Sequence, residues 1–129
     1  MKVKTNTLSG IALDWLVAKA LDYDVSTEGH WDTEQDREVI TKLHGGAVPG
    51  RYVGDTAWCP STCWAQGGPL IQRERMEVMP CMDGITWEVR RFISECELFA
   101  AYGSTPLIAA MRCFCSKLGD EVDIPQELL

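Results

Sequence analysis

The segment from Trp58 to Ile71 carries the side chains best suited to chemistry in this chain. It combines two tryptophans, hydroxyl and thiol groups, an amide and two adjacent glycines. Indole rings can stack on a planar ligand, and hydroxyl and amide groups can hydrogen-bond to its polar edge. Because dense, stiff aromatic residues in a loop usually serve recognition, the stretch from Trp58 to Pro69 is the predicted functional surface. The candidate ligand-binding residues are Tyr52, Trp58, Pro60, Ser61, Thr62, Trp64, Gln66, Gly67, Gly68 and Arg112.

This segment has no recognisable set of residues that could assist a nucleophile in catalysis. Ser61, Thr62 or Cys63 would need a general base to act as a nucleophile. The chain has two histidines, His30 and His44, and both are more typical of solvated or capping positions than of a catalytic dyad. A carboxylate pair cannot be selected from 19 acidic residues without geometry. The sequence therefore predicts no catalytic residue and favours binding over an enzymatic role.

The six cysteines raise the question of a metal site. Cys59 and Cys63 have the spacing of half a zinc site, and Cys81 or His44 could supply further ligands. A second close pair at finger-like spacing is missing, because the Cys-x-Cys pair near the carboxyl end lies on a predicted helix with diverging side chains. Without an export signal, a disulfide framework is also not expected. We predict reduced structural thiols, with no metal and no cofactor.

Length and charge limit the class of protein. A chain of 129 residues fits one domain with a genuine core, because about two thirds of the unfolded surface can be buried at this size. The net charge of −7 argues against nonspecific nucleic-acid binding, and a nucleotide-sized ligand would need a local basic pocket. The sequence contains neither a signal peptide pattern nor a membrane-spanning run, so we expect a cytoplasmic protein without membrane contact.

Apolar periodicity predicts the elements of the first half of the chain. A helix is expected from Gly10 to Leu21 after Ser9 as N-cap. Residues 33–44 could form a helix, but a strand over residues 37–43 is favoured. Pro69 is expected to open a short helix that ends near Arg75. Irregular loops and short strands are expected between Gly45 and Gly68, because glycine and proline are frequent there.

The second half predicts a hairpin and a helix. Residues 86–92 and 97–102 carry the β-branched and aromatic residues of two strands joined by a turn, although a helix across them remains an alternative. Thr105 or Ser104 caps a helix that starts at Pro106 and ends before Gly119. Residues 120–129 are expected to form an exposed acidic tail. The overall prediction is a single α+β domain, residues 1–129, with two main helices on a small antiparallel sheet.

Several blocks together resemble the NinX-like family of bacteriophage proteins. They are residues 12–21, 60–62, 64–71, 102–112 and 116–121, which cover much of the chain, whereas residues 26–53 and 78–100 match poorly. The chain also departs from the family at Cys63, where an aspartate is frequent. The resemblance implies a phage or prophage origin and an accessory, non-virion role in the cytoplasm of the bacterial host. It implies no particular biochemical activity.

Two kinds of binding are compatible with these residues. A nucleotide-like small molecule could stack on the tryptophans, with Arg112 and the helix N-termini at Pro69 and Pro106 facing an anionic group. Alternatively, exposed tryptophans could anchor a host protein that the phage protein inhibits or redirects. A concave pocket at Trp58 or Trp64 would favour the first, and a flat apolar patch the second. Homodimerisation is compatible with both, and the tryptophans could instead merely close the end of the sheet.

Overall fold

The structure is a computed structural model that describes residues 1–21 and 58–129 together with the backbone of four short strands between them. The protein is α+β. Its helices are α1 (Gly10–Ala20), α2 (Trp64–Arg73) and α3 (Pro106–Cys115). The described strands are β1 (Lys2–Lys4), β2 (Asp24–Ser26), β3 (His30–Asp32), β4 (Arg37–Val39), β5 (Lys42–His44), β6 (Glu77–Pro80), β7 (Trp87–Phe92), β8 (Leu98–Gly103) and β9 (Glu121–Asp123).

Strands β6, β7 and β8 form an antiparallel sheet, and α3 packs across one of its faces. Val78, Val89 and Ala101 stand side by side in the register, and the latter two are buried. The other face carries exposed residues such as Tyr102, as the two-residue alternation of a strand requires. The predicted hairpin of β7 and β8 and the placement of the last helix on the sheet are both confirmed.

Helix α1 packs on α3 through the apolar face that its sequence predicts. Leu13 and Val17 are fully buried, Leu16 and Ala20 are nearly so, and Leu21 is half-buried against the same core. Ser9 occupies the N-cap position without a side-chain hydrogen bond to the helix. The burial of this face, rather than its cap, therefore fixes the helix in the fold.

Helix α3 begins as its local sequence predicts. The hydroxyl oxygen of Thr105 accepts the Ile108 N–H at 3.1 Å, and Pro106 occupies the first turn. Just before it, Gly103 lies so close to the helix that an added Cβ would be 2.7 Å from the backbone nitrogen of Ala109. Glycine is thus required where the end of β8 meets the first turn of α3.

The start of α2 differs from the prediction. The helix begins at Trp64, so that Pro69 lies inside it and the expected loop to Pro69 ends at Cys63. Proline inside a helix removes one backbone donor. Burial of Gln66 and Leu70 on the inner side of α2 offsets that cost, while Pro69 faces outward. The described part of the chain therefore contains three α-helices, where two main helices and a shorter one were expected.

The favoured strand over residues 37–43 is confirmed at residues 37–39 and 42–43, but these positions belong to two strands in separate antiparallel pairs, β3 with β4 and β2 with β5. The alternative helix is wrong at these positions.

The prediction for the carboxyl terminus is corrected. The carboxyl terminus is not a free acidic tail, because β9 pairs with β1 and its Val122 is buried, as is the following Ile124. Glu121 and Asp123 point outward on either side of the buried Val122, and Asp120 just before the strand is also exposed, which is why composition alone suggested an exposed tail.

Candidate functional site: the Trp64 cleft

The turn between Trp58 and Cys63 is fixed to α1 by hydrogen bonds to Asp14. Trp58 is only 5% exposed, and its indole Nε1–H donates to the backbone carbonyl of Asp14 at 2.9 Å. The backbone N–H of Ser61 donates to Asp14 Oδ1 at 2.8 Å. Trp58 is therefore a core anchor of the turn, the role that the sequence left open as the alternative to ligand stacking.

Asp14 is a functional candidate that the sequence interpretation missed. It is buried, and this desolvation raises its pKa to about 6, with the Ser61 N–H bond offsetting part of the effect. A signal was present, because Asp14 precedes the buried Val17 and Ala18 by three and four residues on the same helix face. An acidic residue on an apolar face indicates a specific polar partner inside the protein.

Pro60, Gln66 and Gly67 shape the turn from the other side. The side-chain oxygen of Gln66 accepts the Cys59 N–H at 2.6 Å. Gly67 lies against the carbonyl oxygen of Pro60, and an added Cβ would clash with that oxygen and stand 2.8 Å from a methyl group of Leu107. These residues hold the turn, α2 and α3 together.

Trp64 is the solvent-facing tryptophan of this segment, with 58% of its surface exposed. Its ring forms one wall of a cleft of about 210 Å³, which we call the Trp64 cleft. Gly68 stands beside the ring, since a Cβ there would be 3.8 Å from the indole. The lining of the cleft is uncharged and consists of Ser61, Thr62, Trp64, Thr105, Pro106, Leu107 and Ile108.

The polar groups of the Trp64 cleft come from both walls. The buried hydroxyl of Ser61 lies near the Asp14 carboxylate and helps to lower the pKa of that group, although it meets no partner in strict hydrogen-bond geometry among the described residues. Thr62 is exposed at the rim. The first turn of a helix leaves amides without intrahelical partners. Pro106 has no N–H and Thr105 accepts that of Ile108, so Leu107 N–H is the donor that this end of α3 can offer. The cleft thus pairs one aromatic face with a few hydrogen-bonding groups.

The predicted ligand-binding residue Arg112 is not part of this arrangement. Arg112 donates from Nε to the carbonyl of Leu8 at 2.7 Å and from Nη1 to that of Tyr102 at 2.8 Å. Partial burial lowers its pKa, and it is absent from the cleft lining. Arg112 therefore ties the amino-terminal segment to β8 instead of facing the Trp64 cleft. Tyr52 lies outside the described residues.

None of the six cysteines, all of which lie in the described part of the chain, forms a disulfide bond. Cys59 and Cys63 are half-buried, Cys113 and Cys115 are buried, and burial raises the pKa of the Cys59 thiol. Within the described part of the chain, no three His, Cys, Asp or Glu side chains are grouped closely enough to hold a metal ion. The side chains of His30 and His44 lie outside that part.

None of the helices among the described residues has the length and apolarity needed to cross a membrane.

Comparison with known proteins identifies the family of the chain. No curated protein matches it significantly. The sequence profile described as "Bacteriophage P22, NinX" matches residues 4–117, which include all three helices and the Trp64 cleft. The match extends through most of the chain and spans both walls of the cleft. The chain therefore belongs to the NinX family of bacteriophage proteins.

Proposed function

We propose that this protein binds a small molecule with a planar, nucleotide-like ring in the Trp64 cleft, as an accessory, non-virion phage protein in the host cytoplasm. The observation that carries the proposal is the position of the exposed Trp64 indole, which forms a wall of a concave cleft opposite the first turn of α3. Exposed tryptophan is costly to leave in water, and a stacked planar ligand would cover it.

The size and chemistry of the cleft favour a ring over a whole nucleotide. Its volume of about 210 Å³ is smaller than the roughly 300–1,000 Å³ of sites that enclose drug-sized ligands. The uncharged lining suits a ring with a polar edge, which Ser61, Thr62 and Leu107 N–H could read. Any phosphate or sugar of the same ligand would extend out of the cleft toward solvent.

Preorganisation supports this role. The bonds from Trp58 and Ser61 to Asp14, and from Cys59 to Gln66, hold the turn beneath the cleft before any ligand arrives. A site that is already ordered loses less conformational entropy when it binds. The candidate residues Pro60, Gln66 and Gly67 would then act by positioning the cleft rather than by touching the ligand.

A thermal-shift screen followed by calorimetry tests the proposal. Nucleosides, nucleotides, cyclic nucleotides and ADP-ribose-type compounds would be added to the purified protein, and a ligand at 100 times its Kd should stabilise by about 2.7 kcal/mol. The shift should vanish in Trp64→Ala and persist in Tyr102→Ala, which removes a similarly exposed aromatic ring from the outer sheet face. A flat screen, or a shift that survives Trp64→Ala, would overturn the proposal.

A second candidate function is binding to a host protein. The exposed apolar side chains on the outer face of the sheet favour it. Phe92, Leu98 and Tyr102 lie on that face and are each about half exposed. Phe92→Ser with Leu98→Ser should abolish capture of a specific host protein, whereas Trp64→Ala should not. Capture that depends on neither change would count against this surface. Sedimentation of the wild type and of the double variant would reveal any homodimer that uses the same surface.

A further inference from the structure

A second hollow lies at the other end of α2 from the Trp64 cleft, and it is lined by positive charge. Trp64 and Arg73, the first and last residues of the helix, are nine positions and thus about 14 Å apart along its axis. We propose that this arginine hollow binds a phosphate-bearing small molecule, independently of the function proposed for the cleft. Its volume is about 470 Å³, within the range of ligand sites, and its lining is Arg73, Glu74, Arg75, Arg91, Phe92 and Ile93.

Arg91 forms the fixed base of the arginine hollow. Its side chain is only 13% exposed, and its guanidinium carbon lies 5.7 Å from the centre of the Phe99 ring and 5.8 Å from that of Phe114. The buried Nη1 has no hydrogen-bond partner among the described residues, and its contact with Glu74 Oε1 is an ion pair of 3.5 Å. A guanidinium that is held in place and has further N–H groups besides the one paired with Glu74 is suited to bind an oxyanion.

Arg75 adds a charge at a position where the backbone favours glycine. Helix α2 ends with the bonds Met76 N–H to Ile71 O and Arg75 N–H to Gln72 O, and Arg75 has a φ of 51°. This left-handed residue after a helix is usually glycine, because a Cβ is strained there. The sequence places an arginine at the strained position, on the rim of the hollow. A function for that side chain would explain why an arginine occupies this strained position.

The charge balance selects a dianion. Arg73, Arg75 and Arg91 face a single carboxylate, that of Glu74, which leaves a residual charge of +2 in a protein whose net charge is −7. A phosphomonoester carries about −1.5 to −2 at neutral pH and offers three acceptor oxygens, whereas a carboxylate carries one charge and two oxygens. The arginine hollow therefore matches a phosphate better than a carboxylate.

The apolar wall of the arginine hollow indicates that the phosphate bears an organic group. Phe92 and Ile93 line the same space as the arginines and are each roughly half exposed. Inorganic phosphate would leave these side chains in water, whereas an aromatic or apolar ester would cover them. The ligand class is thus an organic phosphate with a compact apolar or aromatic part.

Calorimetric titration with three simple probes tests the charge and the apolar wall separately. Phenyl phosphate should bind most tightly, inorganic phosphate more weakly, and benzoate more weakly still. Equal affinity for benzoate and phenyl phosphate would overturn the choice of phosphate. Failure of phenyl phosphate to bind at moderate salt would overturn the site itself, since exposed charges alone are screened there.

Variants locate the binding site and separate a loss of binding from a loss of folding. Arg75→Gly removes a guanidinium while relieving backbone strain, so it should raise the melting temperature and still weaken phenyl phosphate binding by roughly tenfold or more. Arg91→Lys keeps the charge but not the forked donors, and it should also weaken binding. Arg90→Ala is the matched control, because Arg90 lies on the opposite sheet face, paired with Glu88 at 2.9 Å.

The outcomes separate this site from the Trp64 cleft. Trp64→Ala should leave phenyl phosphate affinity unchanged, and Arg75→Gly should leave any nucleoside shift unchanged. Unaltered affinity in both Arg75→Gly and Arg91→Lys would overturn the assignment. An equal loss in Arg90→Ala would show nonspecific attraction to surface arginines and would overturn it too.

Discussion

The carboxylate of Asp14 accepts the backbone N–H of Ser61 at 2.8 Å, across 47 residues of sequence. This bond joins the middle of α1 to the turn that carries the lining of the Trp64 cleft. Trp58 strengthens the same junction by donating to the backbone of Asp14. A buried acid therefore positions the candidate site without touching a ligand.

Stability should depend on the ionisation of Asp14. Its pKa is raised from 3.8 to about 6 in the folded protein, so between these values the folded state holds a proton that the unfolded state has lost. The contribution of Asp14 to stability is thus present below about pH 4 and is lost as pH rises through about 6. Its size is of the order of 3 kcal/mol, from about two pKa units at 1.36 kcal/mol each.

The variant Asp14→Asn isolates this effect from other titrating groups. An asparagine oxygen can still accept the Ser61 N–H, and its neutral amide removes the desolvated charge. In urea denaturation between about pH 4 and about pH 7, the wild type should lose stability relative to Asp14→Asn by the amount above. Parallel pH profiles for the two proteins would show that Asp14 keeps an ordinary pKa when folded.

The adjacent glycines of α2 should respond differently to alanine. Gly67→Ala brings a Cβ against the carbonyl of Pro60 and the side chain of Leu107, so we expect a loss of about 1–3 kcal/mol. Gly68→Ala makes an ordinary contact with Trp64 at 3.8 Å and should be neutral or stabilising by up to about 1 kcal/mol. Thermal unfolding of the two variants compares them directly, and equal melting temperatures would contradict the close packing at Gly67.

Trp58 and Trp64 both belong to the predicted binding segment, but their substitution should affect stability to different extents. Trp58→Phe loses the buried bond to the Asp14 carbonyl and should cost about 1–3 kcal/mol, whereas Trp64→Ala should change stability by about 0.5 kcal/mol or less. The fluorescence contribution of each tryptophan is the difference between the wild type and its variant. Acrylamide should quench the contribution of Trp64, from Trp64→Ala, more readily than that of Trp58, from Trp58→Phe. Similar quenching of both components would contradict their difference in burial.

The elements predicted correctly are those whose signals are local. Helix α3 has a cap and a proline at its start, and the β7–β8 hairpin joins two strands with a short turn. Pairing of β1 with β9 links residues about 120 positions apart, and no local pattern specifies it. The Trp64 cleft and the arginine hollow could not be predicted for the same reason, because each is lined by segments that only the folded sheet and helices bring together.

Pro69 shows how packing can override a local signal. A proline after two glycines is typical of a helix start. Here α2 begins five residues earlier, because Gly67 must lie against Pro60 and Gln66 must reach the Cys59 N–H. The predicted binding segment therefore has the right residues in a different secondary structure, with its turn limited to residues 58–63.

Arg112, predicted from sequence as a counter-ion, should behave as a structural residue. Its guanidinium donates to the carbonyls of Leu8 and Tyr102, which belong to distant parts of the chain. Arg112→Lys keeps the charge but cannot reproduce this two-armed geometry, so it should lower stability by about 1–3 kcal/mol. Urea unfolding measures the loss, with Arg90→Lys as the control because Arg90 is paired on the outer face of the sheet. If Arg112→Lys instead retained full stability and lost ligand affinity, Arg112 would be a binding residue, and the Trp64 cleft would need a route to it.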